Sequence, residues 1–424
     1  MSEYKKTVTS NGVRVVSQKL ANYHSAALGL WVDTGSRDEA DTENGVSHFI
    51  EHMVFKGTET RSAFAIASAL ESLGGNINAF TSREQTCFYA RTMGEHLPIA
   101  ADILIDMLMH STFAPDHIDK ERNVIIEEIK DVFDTPSDYI HDLFAQATWG
   151  DHPLGQPILG THDLVGGMTR DALLGYKNRN YTAGKIVVAA AGDVEHERLV
   201  DWVEDKLKLD PQEPVFRDYE ATTNPRSSRI TSYRDSSQTH LCVGFPAYHF
   251  THPNKFALLM LHNMLGAGMS SRLFQAVREE LGFAYSVYTY EDFYRDCGTF
   301  NIYAATDAKN AVKAVDVILS EILKIRKNSI TADELESARQ QLMGNLVLGL
   351  EGTSARMNRL ARHELAYNAH VPVEDSLRFI QEVTLDDVKQ ALDDVFNGPD
   401  CAAAFLGPVD ETMLDEVDWG ILSS

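Results

Sequence analysis

Short apolar runs and longer stretches of helical period alternate along this chain in no fixed order. Val13-Arg14-Val15-Val16-Ser17 and Ala26-Ala27-Leu28-Gly29-Leu30-Trp31-Val32 read as strands. Residues 64–73, 97–109 and 118–133 repeat apolar positions at helical spacing. Strands and helices in irregular succession favour an α+β layered fold over a strictly alternating parallel sheet.

The pattern also divides. A polar stretch with three prolines and no helical period runs from Asp210-Pro211-Gln212-Glu213-Pro214 to Asn224-Pro225-Arg226-Ser227-Ser228. It separates a domain at 1–210 from one at 229–424, with 211–228 as linker. Both halves end alike. Lys185-Ile186-Val187-Val188-Ala189-Ala190-Ala191-Gly192 is an apolar strand and turn before a helix at about 195–207. Cys401-Ala402-Ala403-Ala404-Phe405-Leu406-Gly407 repeats the strand and its glycine turn. The halves read as a diverged duplication.

Composition narrows the function classes. A chain of 424 residues with 44% hydrophobic and 24% charged residues is globular and long enough for two or more cores. Its net charge of −24 argues against a nucleic-acid partner and suits a basic peptide, besides keeping the protein soluble. Cys87, Cys242, Cys297 and Cys401 are scattered without a CxxC pair, which fits a reducing compartment. The start, Met1-Ser2-Glu3-Tyr4-Lys5-Lys6, lacks an apolar signal core, and no run is long enough to cross a bilayer. A cytoplasmic protein with no membrane partner is expected.

The chemistry centres on His48-Phe49-Ile50-Glu51-His52. On a helix, histidines four apart leave one face, so two ring nitrogens can meet one zinc ion. Glu51 beside them can act as general base toward water on the metal. Asp41, Thr42 and Asn44 offer N-cap chemistry just upstream. With 16 histidines in the chain, a chance HxxEH on an ordinary helix is the competing reading. A catalytic site needs a third ligand. Glu121 and Glu128 are seven apart and share the helical arc of Val124, Ile125 and Val132, where a buried carboxylate needs a partner; Glu127 points to solvent. His152, in a proline-rich loop, reads as structural. Gly266-Ala267-Gly268 lacks the GK[ST] of a phosphate loop, so no nucleotide is expected.

These residues resemble the pitrilysin-type inverzincin metallopeptidases, which share the HxxEH signature. Within them the chain is most similar to the catalytic (beta) subunit of the mitochondrial processing peptidase and its bacterial relatives. The segment from Leu73-Gly74-Gly75-Asn76 to Thr86 resembles the strand after the family's zinc helix. Glu121-Arg122-Asn123-Val124-Ile125-Ile126-Glu127-Glu128 resembles its third-ligand helix. Leu265-Gly266-Ala267-Gly268-Met269-Ser270-Ser271-Arg272-Leu273-Phe274 and Val277-Arg278-Glu279-Glu280-Leu281-Gly282-Phe283-Ala284-Tyr285-Ser286 resemble its C-terminal signature.

The resemblance implies two related α+β halves, each a mainly antiparallel sheet with helices packed on it, the second completing a substrate chamber. It implies one zinc per chain on His48, His52 and Glu128, with Glu121 supporting the ligands. Glu51 would activate a zinc-bound water, while Arg278 and Tyr285 reach the substrate. A peptide strand would add to the edge formed by Asn76, Ile77, Asn78, Ala79, Phe80 and Thr81, with Gly74-Gly75 allowing close backbone approach. The implied function is a zinc-dependent endopeptidase acting on extended, unfolded or short peptides, basic ones included. The alternative is a non-catalytic or partner-dependent subunit of a processing-peptidase-like complex. Chains of this length hold two of the family's four repeats, which implies a homodimer or a heterodimer with a related subunit. Met1 and the missing Arg-rich transit segment favour a bacterial cytoplasm over a mitochondrial matrix.

Overall fold

A computed structural model describes residues 3–217, 225–328, 330–398 and 400–423. Strands β1 (Glu3–Val8), β2 (Arg14–Lys19), β3 (Ser25–Val32), β4 (Asn76–Thr81), β5 (Thr86–Met93) and β6 (Ile186–Gly192) form one sheet, ordered β1-β2-β6-β3-β5-β4. Strands β7 (Arg229–Tyr233), β8 (Thr239–Ala247), β9 (Ala284–Phe293), β10 (Gly298–Thr306) and β11 (Ala402–Gly407) form another, ordered β7-β11-β8-β10-β9. Each sheet has one parallel pair, β2 with β6 and β7 with β11; all other pairs are antiparallel. Without β1 the two orders coincide. The α+β fold expected from the sequence is present, and the duplication extends through every strand of the second sheet.

The helices expected at 64–73, 97–109 and 118–133 are Ala63–Glu71, Leu97–His110 and Pro115–Asp134. Strand β6 is buried along its whole length, as its run of Val and Ala predicts for a strand covered on both faces. One face carries the main core of the first unit, which includes Leu28, Leu30, Phe49, Ile50, Leu104 and Ile125. On the other face Met357, Leu360, Ala361 and Leu365 of the helix Thr353–Tyr367 pack against Trp31, Val187, Ala189 and Ala191. In the second sheet the helix Pro136–Trp149 has the same role. Its Ile140, Leu143, Phe144 and Ala147 pack against Cys242, Tyr303, Ala402, Ala404 and Leu406.

These two helices exchange partners. All strands of the first sheet precede residue 211 and all strands of the second follow residue 228. The packing units nevertheless cross that line. One comprises 1–130, 156–217 and 349–371; the other comprises 131–155, 218–348 and 372–424. The contiguous division read from the sequence therefore differs from the packing, because each half of the chain sends one helix to the other half's sheet. Of the expected linker, 218–224 lie outside the described residues, and 211–217 and 225–228 form neither helix nor strand.

Two glycines make room for the exchanged helices. A Cβ on Gly29 in β3 would lie 2.7 Å from the Met357 sulfur, and one on Gly244 in β8 would lie 2.3 Å from Cζ of Phe144. Gly29 pairs with Ala189 of β6 and Gly244 with Ala402 of β11, so each lies on the strand next to the sheet's buried β6 or β11.

Candidate metal centre

The HxxEH residues lie on the helix Val46–Val54, whose Phe49, Ile50 and Met53 anchor it in the core. Gly45 starts it with φ of 92°, and a Cβ there would press within 2.8 Å of Gly160. The expected cap residues do not cap it. Asp41 to Glu43 form their own short 3-10 turn, and the buried carboxylate of Glu39 takes the capping role. Glu39 accepts from the amides of Gly45 and Ser47, each at 2.8 Å, and from the Asn44 side chain at 3.2 Å. A carboxylate at this end satisfies orphan amides and opposes the helix dipole. Burial outweighs those hydrogen bonds and pushes the Glu39 carboxyl up to about 7.

The facing helix, Pro115–Asp134, supplies the carboxylates. Glu121 is buried, with Oε2 3.1 Å from His52 Nδ1 and Oε1 2.9 Å from Lys56 Nζ. That contact places the ring proton on Nδ1 and leaves Nε2 free toward Glu128. Glu128 Oε2 lies 3.5 Å from His52 Nε2 and 3.7 Å from His48 Nε2. Among the described residues, His48, His52 and Glu128 are the group whose ligand atoms all fall within 4.8 Å of one another. Tetrahedral zinc with bonds of about 2.0–2.1 Å holds its ligand atoms roughly 3.4 Å apart, so the donor set fits that ion. Burial, with His52 adding to it, lowers His48 to about 3. Its imidazole is therefore the neutral form a metal requires.

The expected burial of both glutamates needs correction. The Glu128 side chain is 40% exposed and Val124 is exposed, because the helix meets the core through Ile125, Ile126 and Ile129, a narrower stripe than the helical arc suggests. Glu127 faces solvent, as expected, paired with Lys130.

Glu51 receives a hydrogen bond of 2.6 Å from the Thr81 hydroxyl. Burial raises its pKa, with Thr81 and His52 opposing the shift. Thr81 ends β4, an edge strand of its sheet, which among the described residues pairs with β5. The six residues expected to meet substrate divide between faces. Ile77 and Ala79 pack with the core that holds the zinc-motif helix, whereas Phe80 packs toward Trp31 on the opposite face. Gly74 turns the chain at φ of 74°. Gly75 lies against the Arg91 carbonyl of β5, so its close approach is to its own sheet.

Arg278 and Tyr285 belong to the second unit and lie together. The guanidinium sits 4.7 Å from the ring centroids of both Tyr285 and Phe274, and Tyr285 is 72% exposed. His152 accepts from the Leu154 amide at 3.1 Å. The four cysteines are free thiols and buried. Among the described residues no helix is long and apolar enough to cross a membrane. Sequence reasoning missed Glu39 and Lys56. Lys56 follows His52 by four, a spacing that could have flagged it; nothing in the pattern singles out Glu39.

Residues 14–162 match the family model described as insulinase (peptidase family M16), and 167–342 match the M16 inactive domain. A relative from Bacillus subtilis, named an uncharacterized zinc protease, is 38% identical over 412 residues, covering 95% of this chain and 98% of its own. One of the same description from Mycobacterium tuberculosis strain H37Rv is 40% identical, covering 95% and 93%. A crystal structure of a protease from Helicobacter pylori shares the fold with a TM-score of 0.88 at 20% identity, covering 96% of this chain and all of its own. With its halves, its sheet order and its inverted histidine motif in place, the chain belongs to peptidase family M16.

Proposed function

We propose that the protein is a zinc-dependent endopeptidase for extended peptides. The observation that carries this reading is the convergence of His48, His52 and Glu128 beside a buried, hydrogen-bonded Glu51. His48 and His52 would hold zinc through Nε2 and Glu128 through Oε2, with Glu121 fixing the His52 ring. Zinc, when bound, supplies a Lewis acid that polarises a peptide carbonyl and acidifies water. Glu51 is tethered at Oε2 and takes the proton of the attacking water at Oε1, then returns it to the leaving amine. The free edge of β4 aligns an extended backbone by strand addition, which needs no particular side-chain sequence. Arg278 would hold the substrate backbone and Tyr285 the developing oxyanion. The net charge of −24 favours basic peptides by long-range attraction. Relatives named as zinc proteases support the class of reaction.

Hydrolysis of a quenched basic peptide by wild type and Glu51→Gln, with zinc measured on both, tests this. Turnover should fall by about 10²–10⁴ in the variant while zinc content stays the same. Zinc without turnover in the wild type would defeat the reading and point to a partner-dependent subunit.

A further inference from the structure

The loop 35–39 spans two elements of the site. Its Ser36 amide donates to the Ser82 carbonyl at 3.1 Å, and its Arg37 amide donates to the Arg83 carbonyl at 2.7 Å. Arg37 also forms a buried ion pair with Glu84 at 2.8 Å. Gly35 permits the approach, since a Cβ there would lie 2.3 Å from the Ser82 carbonyl oxygen. Two residues beyond Arg37, Glu39 holds the first turn of the zinc-motif helix. One short segment therefore grips the end of the edge strand and the start of the helix, which fixes the gap between them.

Thr81 and Glu51 meet across that gap. Strand alternation puts Thr81 on the same face as Ile77 and Ala79, toward the helix. Its hydroxyl donates to Glu51 Oε2 at 2.6 Å. Glutamate has three side-chain torsions, and a carboxylate held at one oxygen loses most of that freedom. We infer that Thr81 is a positioning residue for Glu51: it locks the carboxylate so that Oε1 faces the reacting water, and it ties the strand that receives substrate to the group that moves the proton. The backbone of Thr81 belongs to the substrate edge while its side chain serves the base. This inference rests on the peptidase reading above and adds a role for Thr81 separate from contact with peptide.

Thr81→Val removes the hydroxyl at constant shape, and Thr81→Ser keeps it. With the zinc-loaded protein and a quenched peptide, Thr81→Val should lose kcat by roughly ten- to hundred-fold, the scale of one hydrogen bond to a charged group. KM and zinc content should hold within about twofold, and Thr81→Ser should recover most of kcat. A rise in KM shared by both variants with kcat intact would overturn the inference, since Thr81 would then act only on substrate. Thr81→Ala takes the place of Thr81→Val if that variant does not fold. A second measurement does not need turnover. Urea midpoints of the as-purified wild type, Thr81→Val, Glu51→Ala and the double variant form a cycle. Non-additive shifts support the contact and additive shifts refute it. A wild type that fails to cleave peptide would remove the peptidase reading, and the cycle would still decide whether Thr81 holds Glu51.

Discussion

The two units are the same scaffold with opposite treatment of polar groups. The helix Lys255–Leu265 follows β8 as Val46–Val54 follows β3, and it carries His262 and Asn263 where the first carries Glu51 and His52. In the second unit His262 Nδ1 is 2.8 Å from the Thr289 hydroxyl and 3.0 Å from Glu291, both on β9, just as Glu51 meets Thr81 on β4. Asn263 donates to the Ala338 carbonyl on the helix Ala332–Gly349, just as His52 meets Glu121 on Pro115–Asp134. The contacts recur and the chemistry does not. In the second unit these polar side chains bond directly to neighbouring protein groups. In the first, one ligand atom each from His48, His52 and Glu128 converge within 4.8 Å of one another, an arrangement that a cation stabilises. The difference teaches that a cluster able to hold a metal arises in this fold from which side chains the helix carries, and not from a change of framework.

The most forceful way to break the comparison is to remove one polar side chain from the corresponding helix of each unit. His48→Ala should weaken zinc binding by at least about 100-fold in a chelator competition, whereas Asn263→Ala should leave it unchanged. Equal losses would mean that the second unit shapes the metal centre directly. A smaller effect sharpens the structural parallel. Gly244→Ala should destabilise by about 1–3 kcal/mol in urea unfolding, because the added methyl meets the rigid ring of Phe144. Gly29→Ala should cost a similar amount, since Met357 can yield but the buried Trp31 indole, 2.8 Å from the added methyl, cannot. The smallest effect concerns pH. Burial raises the Glu39 carboxyl from 4.5 to about 7, so the folded state keeps a proton that the unfolded chain has released. The resulting stability is full below about 4.5 and is lost as pH rises through 7. Thermal midpoints of Glu39→Gln between pH 5 and 8 should show a shallower decline than wild type.

Much of this was legible from residues. The apolar run at 185–191 and its echo at 401–406 announced a repeated strand, because a strand buried on both faces needs continuous apolar side chains. His48 and His52 declared a shared face by their spacing. Glu121 was readable as a buried carboxylate in need of a partner. The exchanged helices were not legible, since a helix's apolar stripe does not say which sheet it covers. Glu39 was also hidden: it reaches the helix through an irregular loop, where side-chain direction follows no period. The exposure of Glu128 depended on how wide a stripe of the helix the core covers, which a helical wheel cannot show.

The exchange of helices also sets an order on synthesis. The sheet that carries the histidine motif is complete in sequence once β6 has emerged, yet Trp31, Val187 and Ala189 stay bare on one face until Met357 and Leu360 arrive. At about 5–20 residues per second, a ribosome takes on the order of ten to thirty seconds to cover that distance. The nascent first half must therefore wait with an open apolar face, and the last part of the first unit to form is encoded deep in the second half of the message.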